Sequence, residues 1–395
     1  MGQKRLTSTR SAPRVFFYVQ HLLGIGHIAR ASRVASALVT DGFDVTMVTG
    51  GMPVPGFPAE GIRHIELPPI AVGDGSFSGL VDATGKPVDD VFKDNRASML
   101  LGAYHGTRPD IVIIEAFPFG RRQVRFELMP LLSAIENSTE RPLVVTSLRD
   151  ILQERAKPGR DEETIKLVKK HFDAILVHAD PNFVRLEDTF PLAEQIRQRV
   201  IYTGLVAPSK PAASQDRFDV VVSAGGGAVG ATLIRAALDV ASQIERVESW
   251  CLITGPNMPQ ADFDDISARA GSGVSVFRFR KDFASLLSGA RLSISQAGYN
   301  TVCDILQAKC RSLLIPFATG GETEQGARAG RLAKLGLAHV LDESAISKES
   351  MVEAINRALD LPEPGSIDLD LDGARGTAAI LRRLYEEREF DTLNI

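Results

Sequence analysis

Ten short apolar runs, none with the polar alternation of a sheet that has one wet face, set the strongest limit on what this chain can become. The first five are Val15–Val19, Val45–Val48, Ile111–Ile114, Leu143–Thr146 and Ala174–Val177. The second five are Val220–Ser223, Trp250–Ile253, Val274–Phe277, Leu292–Ile294 and Ser312–Ile315. Strands of this kind are buried on both faces, which is the condition of a parallel sheet. Helical periodicity fills the gaps, at Ala29–Thr40, Glu163–His171, Ala231–Ile244, Thr301–Ala308 and Ala327–Leu335. Strand and helix alternating through both halves predict an α/β protein of two Rossmann-like domains facing a cleft.

The length agrees, since 395 residues exceed what one hydrophobic core usually spans. The stretch Val206–Gln215 is rich in Pro, Ala and Ser and reads as the junction. The expected division is residues 1–13 disordered, 14–207 an N-terminal acceptor domain, 208–216 a linker, and 217–375 a C-terminal donor domain. Residues 376–395 form a last helix expected to pack back on the first domain. Residues 50–90, with many Gly and Pro and little periodicity, read as a long loop bordering the site.

Charge and cysteines narrow the function classes. A net charge of −4 lacks the basic field that broad nucleic-acid binding needs. The three cysteines, Cys251, Cys303 and Cys310, follow no zinc spacing and read as reduced thiols of a cytoplasmic protein. The run Val15–Val19 is too short for a signal peptide, and nothing approaches the ~20 apolar residues of a membrane helix. Peripheral contact at the inner face of a membrane is compatible with this.

Three segments carry the chemistry. Val220-Val-Val-Ser-Ala-Gly-Gly-Gly-Ala-Val-Gly-Ala231 is strand, glycine loop and helix start, which aims backbone N–H groups at phosphate. No Gly-Lys-Ser/Thr follows, so it is not a Walker A loop. Leu292-Ser-Ile-Ser-Gln-Ala-Gly-Tyr-Asn-Thr-Val-Cys-Asp304 ends a strand and opens a helix. Asn300 and Thr301 are placed to cap it. Asp304, one turn on, suits the diol of a ribose. Pro316-Phe-Ala-Thr-Gly-Gly-Glu-Thr-Glu-Gln-Gly-Ala-Arg328 puts Glu324 and Gln325 in a helix's first turn, where a carboxylate and an amide can hold sugar hydroxyls.

These segments resemble the donor-binding half of GT-B glycosyltransferases. In plant and mammalian UDP-sugar transferases the motif reads His-Cys-Gly-Trp-Asn-Ser-x-x-Glu, followed later by Asp/Glu-Gln. Here Gln296 stands for the His, Gly298 and Asn300 match, Tyr299 replaces Trp, Thr301 replaces Ser, and Asp304 replaces the ribose-binding Glu. Glu324-Gln325 matches the sugar-binding pair. The chain is similar also to the bacterial N-acetylglucosaminyltransferases of peptidoglycan lipid synthesis. Where their Gly-Gly-Ser-Gln-Gly-Ala loop contacts phosphate, this chain has Gly225, Gly226 and Gly227, the last replacing the serine. Phe279-Arg-Lys-Asp-Phe283, with Arg280, resembles the segment that reads uracil. His21-Leu-Leu-Gly-Ile-Gly-His-Ile-Ala-Arg30 resembles their N-terminal glycine loop, His27 matching its histidine.

The resemblance implies a glycosyltransferase, a hexosyltransferase that moves sugar from a UDP-sugar such as UDP-N-acetylglucosamine. It needs no cofactor and no metal, and its acceptor is lipid-linked, a saccharide or a small molecule. His27 and Glu115, each at the carboxyl end of a strand, are the alternative catalytic bases. Arg30, Arg121 and Arg122 are candidate acceptor contacts. Arg149 and Asp150, after another strand, are candidates to line the same cleft. Two acidic stretches, Asp262–Asp264 and the calcium-like Asp368–Gly373, are set aside as solvated loops, the second having Ala379 where a bidentate Glu belongs. A nucleotide-sugar hydrolase or epimerase of the same fold, and a non-catalytic nucleotide-sugar sensor, are the rival readings.

Overall fold

A computed structural model describes residues 12–22, 24–54, 56–73, 79–153, 158–212, 214–225, 230–318, 321–365 and 367–393. The first sheet is built from β1 (Arg14–Val19), β2 (Asp44–Thr49), β3 (Arg63–Glu66), β6 (Ile111–Glu115), β7 (Leu143–Arg149), β8 (Ala174–His178) and β9 (Val200–Tyr202). Its order is β3-β2-β1-β6-β7-β8-β9, parallel throughout. A short antiparallel pair, β4 (Ile70–Val72) and β5 (Leu80–Asp82), stands beside it. The second sheet runs β12-β11-β10-β13-β14-β15, all parallel. Its strands are β10 (Val220–Ser223), β11 (Trp250–Ile253), β12 (Val274–Phe277), β13 (Leu292–Ser295), β14 (Ser312–Leu314) and β15 (His339–Val340).

The helices are α1 (Gly26–Thr40), α2 (Asp90–Thr107), α3 (Arg125–Glu136), α4 (Arg160–His171), α5 (Ala231–Val240), α6 (Gln260–Arg269), α7 (Phe283–Gly289), α8 (Tyr299–Ala308), α9 (Glu324–Lys334), α10 (Lys348–Leu359) and α11 (Gly373–Leu393). Local chemistry explains several boundaries. α2 starts where the Asp89 carboxylate accepts from the Phe92 N–H, and α10 where Ser347 and Ser350 cap each other. α4 has Asp161, Glu162 and Glu163 in its first turn and Lys169, Lys170 and His171 in its last, matching the helix dipole. Among the described residues no helix is long and apolar enough to cross a membrane.

Residues 50–90 are not a plain loop. They contain β3, β4 and β5. β3 is an edge strand with its end residues exposed, so the burial that writes a hydrophobic run elsewhere is missing there. Asp262 and Asp264 lie within α6, where Asp262 pairs with Arg235 at 2.7 Å. The far end of the chain folds back: α11 packs on α1, burying Leu381 and Ala378, and Arg382 pairs with Asp41 at 3.0 Å while lying over the Phe43 ring.

Both sheets reverse their strand order once, between β1 and β6 and between β10 and β13. A crevice opens at the carboxyl ends of strands where order reverses. Several candidate residues follow the strands that flank these two points: His27 after β1, Glu115 at the end of β6, Gly225 after β10 and Gln296 after β13. Packing around them is close: Phe16, Phe17, Tyr18, Ile113 and Ile114 are all fully buried. Each such side chain stabilises the sheet by roughly 1.5–3 kcal/mol.

Candidate functional site

α1 begins directly after the loop that leaves β1, and β6 lies beside β1. That adjacency brings His27 and Glu115 together. His27 Nδ1 lies 3.0 Å from Glu115 Oε1. Glu115 has no exposed surface, and its oxygens also accept from the Arg30 guanidinium and from Ser147 Oγ at 2.7 Å. It cannot reach an acceptor hydroxyl, so the expectation that either residue is the free base narrows to His27. Among the described residues His27 Nε2 has no partner. Burial holds the imidazole well below its usual pKa, reinforced by Arg121, Arg30 and Arg149. His27 is therefore neutral at pH 7.

The arginines expected to hold an acceptor separate into different roles. Arg30 is buried, bound to Glu115, with its guanidinium 5.3 Å over the Tyr299 ring. Arg122 pairs with Glu163 of α4. Arg121, held in the left-handed region at φ 57°, donates through Nε to Gln20 O at 2.7 Å. Its terminal amino groups have no partner among the described residues. Burial and then Arg149 pull its pKa down to about 10, against the opposing pull of the Glu115 carboxylate.

Across the cleft, Gly225 adopts φ 73° after β10, and a Cβ on Gly230 would fall 2.0 Å from that of Ala224. The positive φ disfavours a side chain at Gly225, and the close approach of Ala224 excludes one at Gly230. Gly226 and Gly227 lie outside the described residues. Gln296 is nearly buried, its Oε1 3.8 Å from where a Gly225 Cβ would stand. α8 starts two or three residues earlier than the capping expectation required. Gly298 is its N-cap with no side-chain hydrogen bond, so Asn300 and Thr301 already lie inside the helix. Neither caps it. Asn300 instead donates from Nδ2 to Gly26 O at 3.0 Å, touching the start of α1, while its Oδ1 is buried without a partner. Thr301 Oγ1 faces Gly298, 4.0 Å from its Cβ position.

Asp304 pairs through Oδ1 with Arg33 of α1 at 2.9 Å, leaving Oδ2 without a partner among the described residues. Burial raises its pKa against the opposing pull of Arg33. Glu324 is also buried and bound to Arg149 of β7, and burial raises its pKa too. Glu322 caps α9, its Oε1 accepting from the Glu324 N–H at 2.6 Å, which leaves the Glu324 and Gln325 side chains for other partners. Gln325 Oε1 accepts from the N–H groups of Ala297 and Phe317, at 3.0 and 3.2 Å, so only its amide N–H₂ remains to donate. Arg280 pairs with Asp282 and Asp216, 2.7 and 2.8 Å away, over the Phe277 ring.

Several partners escaped the sequence reading. Arg328 and Asp150 form a two-pronged buried pair between the domains, 2.6 and 2.7 Å apart. The Tyr299 hydroxyl accepts from Val206 N–H at 2.8 Å and donates to His178 O at 2.9 Å, pinning α8 to the end of the first domain. Arg33 carried no signal beyond its place on α1.

Residues 220–364 match the glycosyltransferase family 28 C-terminal domain. The UDP-N-acetylglucosamine–N-acetylmuramyl-(pentapeptide) pyrophosphoryl-undecaprenol N-acetylglucosamine transferase of Brucella canis is 28% identical over 170 residues, 41% of this chain and 44% of that protein. The Brucella anthropi protein of the same name is 28% identical over 162 residues, 39% and 42% of the two chains. The match thus spans less than half the length of these curated relatives. At the level of fold the likeness runs through the whole chain. The calicheamicin glycosyltransferase CalG4 aligns with TM-score 0.60 at 15% identity, covering 95% of this chain and 98% of that one. MurG of Acinetobacter baumannii aligns with TM-score 0.58 at 16% identity, covering 95% and 99%.

Proposed function

From a chain with the GT-B fold throughout, whose residues 220–364 match the family 28 C-terminal domain, we propose a glycosyltransferase that moves a sugar from a UDP-sugar to an acceptor hydroxyl. UDP-N-acetylglucosamine is the first donor to test, since the Brucella relatives are named for it. One observation carries the reading: a neutral His27, oriented by Glu115, beside Gly26, which meets Asn300 of the other domain.

In this mechanism His27 Nε2 takes the acceptor proton, and Glu115 stabilises the imidazolium that forms. The acceptor oxygen attacks the anomeric carbon, and the bond to the UDP phosphate oxygen breaks. The N-terminus of α8, which no side chain caps, together with the Gly225 loop before α5, meets the charge growing on the diphosphate. Asp304 Oδ2 accepts from the ribose diol. Glu324 accepts from sugar hydroxyls, and Gln325 can only donate to them. Arg121, whose terminal amino groups have no partner among the described residues, is the acceptor-side contact. No step calls on a metal or a cofactor. The Brucella relatives are named for a lipid-linked acceptor. A lipid-linked acceptor reached by peripheral contact from the cytoplasmic side is accordingly the first acceptor class to test.

The test is a panel of nucleotide sugars, screened for binding and for turnover with lipid-linked, saccharide and small-molecule acceptors, with and without EDTA. Transfer that survives EDTA supports the reading. Sugar release from the donor without any acceptor points to a hydrolase. Tight donor binding with no turnover against any acceptor points to a sensor.

A further inference from the structure

A line of buried hydrogen bonds runs away from Glu115 into the first domain. Ser147 Oγ lies 2.7 Å from Glu115 Oε2 and 2.8 Å from His178 Nε2. His178 Nδ1 lies 2.8 Å from Thr203 Oγ1. The residues come from the carboxyl ends of β6, β7 and β8 and from just after β9, four neighbours in the sheet. Glu115, Ser147, His178 and Thr203 are all buried.

We propose that Thr203, His178 and Ser147 form a one-way hydrogen-bond relay that orients Glu115 and so fixes the tautomer of His27. The inference rests on reading His27 as the base. Its direction follows from counting protons. Ser147 has one hydroxyl proton and two neighbours that could receive it. Glu115 faces the Arg30 guanidinium and serves as an acceptor, so the Ser147 proton goes there, the charge-assisted bond being about twice as strong as a neutral one. His178 must then donate its Nε2–H to Ser147 Oγ. Burial, with Arg30 adding to it, pulls the His178 pKa down to about 3, so this ring carries one N–H. With that proton on Nε2, Nδ1 must accept, and Thr203 supplies its hydroxyl proton. The competing acceptors of Thr203, Gly204 O and Val177 O, are farther away at 3.0 and 3.4 Å.

The consequence lies at the other end. Glu115 Oε2 is occupied by Ser147, and Oε1 is turned to Arg30 and His27. A carboxylate oxygen accepts, so His27 must donate its Nδ1–H to it. The single proton of the neutral ring is then on Nδ1, and the Nε2 lone pair is the base. Ser147, His178 and Thr203 touch no reacting atom. They are positioning residues.

The experiment uses the full-length protein with selective ¹⁵N labelling of its seven histidines, the His27 signals assigned by loss in His27→Gln. The wild type is expected to show His27 protonated on Nδ1. Ser147→Ala and His178→Leu should mix in the Nε2–H tautomer. They should lower kcat roughly 10- to 100-fold with KM little changed, a loss of the size seen when outer partners of an oriented histidine are removed. His178→Gln, whose terminal N–H₂ reaches the place of Nε2–H, should restore both the tautomer and the turnover. If Ser147→Ala does not fold, Thr203→Val reads the relay from its far end with the same expected changes. An Nε2–H tautomer in the wild type overturns the proposal. So does an unchanged tautomer in Ser147→Ala and His178→Leu. If His27→Gln keeps full turnover while the tautomer shifts appear, the relay stands and the base assignment falls.

Discussion

At the scale of single residues, the site depends on two side chains whose neighbours determine what they can do. His27 is kept neutral by burial and three arginines, so in the proposed role of base it is in the right state but weak. His27→Ala should lower turnover by roughly 10²–10⁴-fold and leave UDP affinity nearly unchanged, which steady-state kinetics and calorimetry together would show. The acid limb of kcat/KM follows from the same shift. The base works only when unprotonated, and its folded pKa lies below 6.5. Activity should therefore hold as pH falls to 6.5 and fail only well below it. A limb centred at or above 6.5 would assign the titration to another group. Asp304 has one oxygen taken by Arg33 and one left. Losing a charge-assisted bond to ribose is worth roughly 1.5–3 kcal/mol, so Asp304→Ala should weaken UDP binding by about 10- to 100-fold. Unchanged affinity in a titration would remove Asp304 from the site.

At the scale of elements, the start of α9 carries the proposed reading of the donor sugar. Glu322 satisfies two of the helix's orphan N–H groups, those of Glu324 and Gln325, which frees both of the following side chains. Glu324→Ala and Gln325→Ala should then weaken binding of the nucleotide sugar more than binding of UDP alone. Equal losses for the two ligands would mean that the pair is not reading sugar. Gln325→Ala should also loosen the join between the ends of β13 and β14, because its carbonyl ties Ala297 to Phe317. Some loss of stability is expected with it and not with Glu324→Ala.

At the scale of the whole molecule, polar groups lock the two domains together. The Arg328–Asp150 pair joins them with nearly no exposed surface, and Arg149–Glu324, Arg33–Asp304 and Arg331–Asp188 add to it. Removing one partner of a buried pair strands the other charge and costs roughly 3–5 kcal/mol. Arg328→Leu should lower the urea midpoint accordingly, and Arg328→Leu with Asp150→Leu should recover much of the loss. A double variant worse than the single one would contradict this account. Buried neutral histidine also ties stability to pH. The pKa of His178 falls from 6.5 in the unfolded chain to about 3 in the folded one, so the unfolded state binds the extra proton. Stability is complete above pH 6.5 and declines as pH falls from there towards 3. At pH 5 the decline from this one group is roughly 2 kcal/mol. Urea titrations from pH 7 to 4.5 should show it, and His178→Gln should flatten the slope.

The sequence by itself determined the layered α/β plan and the place of the glycine loops that precede helices. A doubly buried strand must be apolar along its length, and a glycine loop before a helix leaves a local trace. That is why β10 and β11 begin and end where the apolar runs do. It missed β3, β4 and β5, which lie on an edge or in a small hairpin, are mostly half-buried or exposed and so carry no such run. It singled out His27, Glu115, Asp304 and Glu324 as residues, but not what each of them touches. Only the tertiary structure decided that Glu115 stands behind His27, that Asp304 faces Arg33, and that Arg30, Arg122 and Arg280 are held by carboxylates. Those partners are 85, 271, 41 and 64 residues apart for Arg30–Glu115, Arg33–Asp304, Arg122–Glu163 and Arg280–Asp216. A single charged side chain looks the same in a sequence whether it is free or paired. Strand order and domain closure choose the partner, and that choice decides whether the group can act.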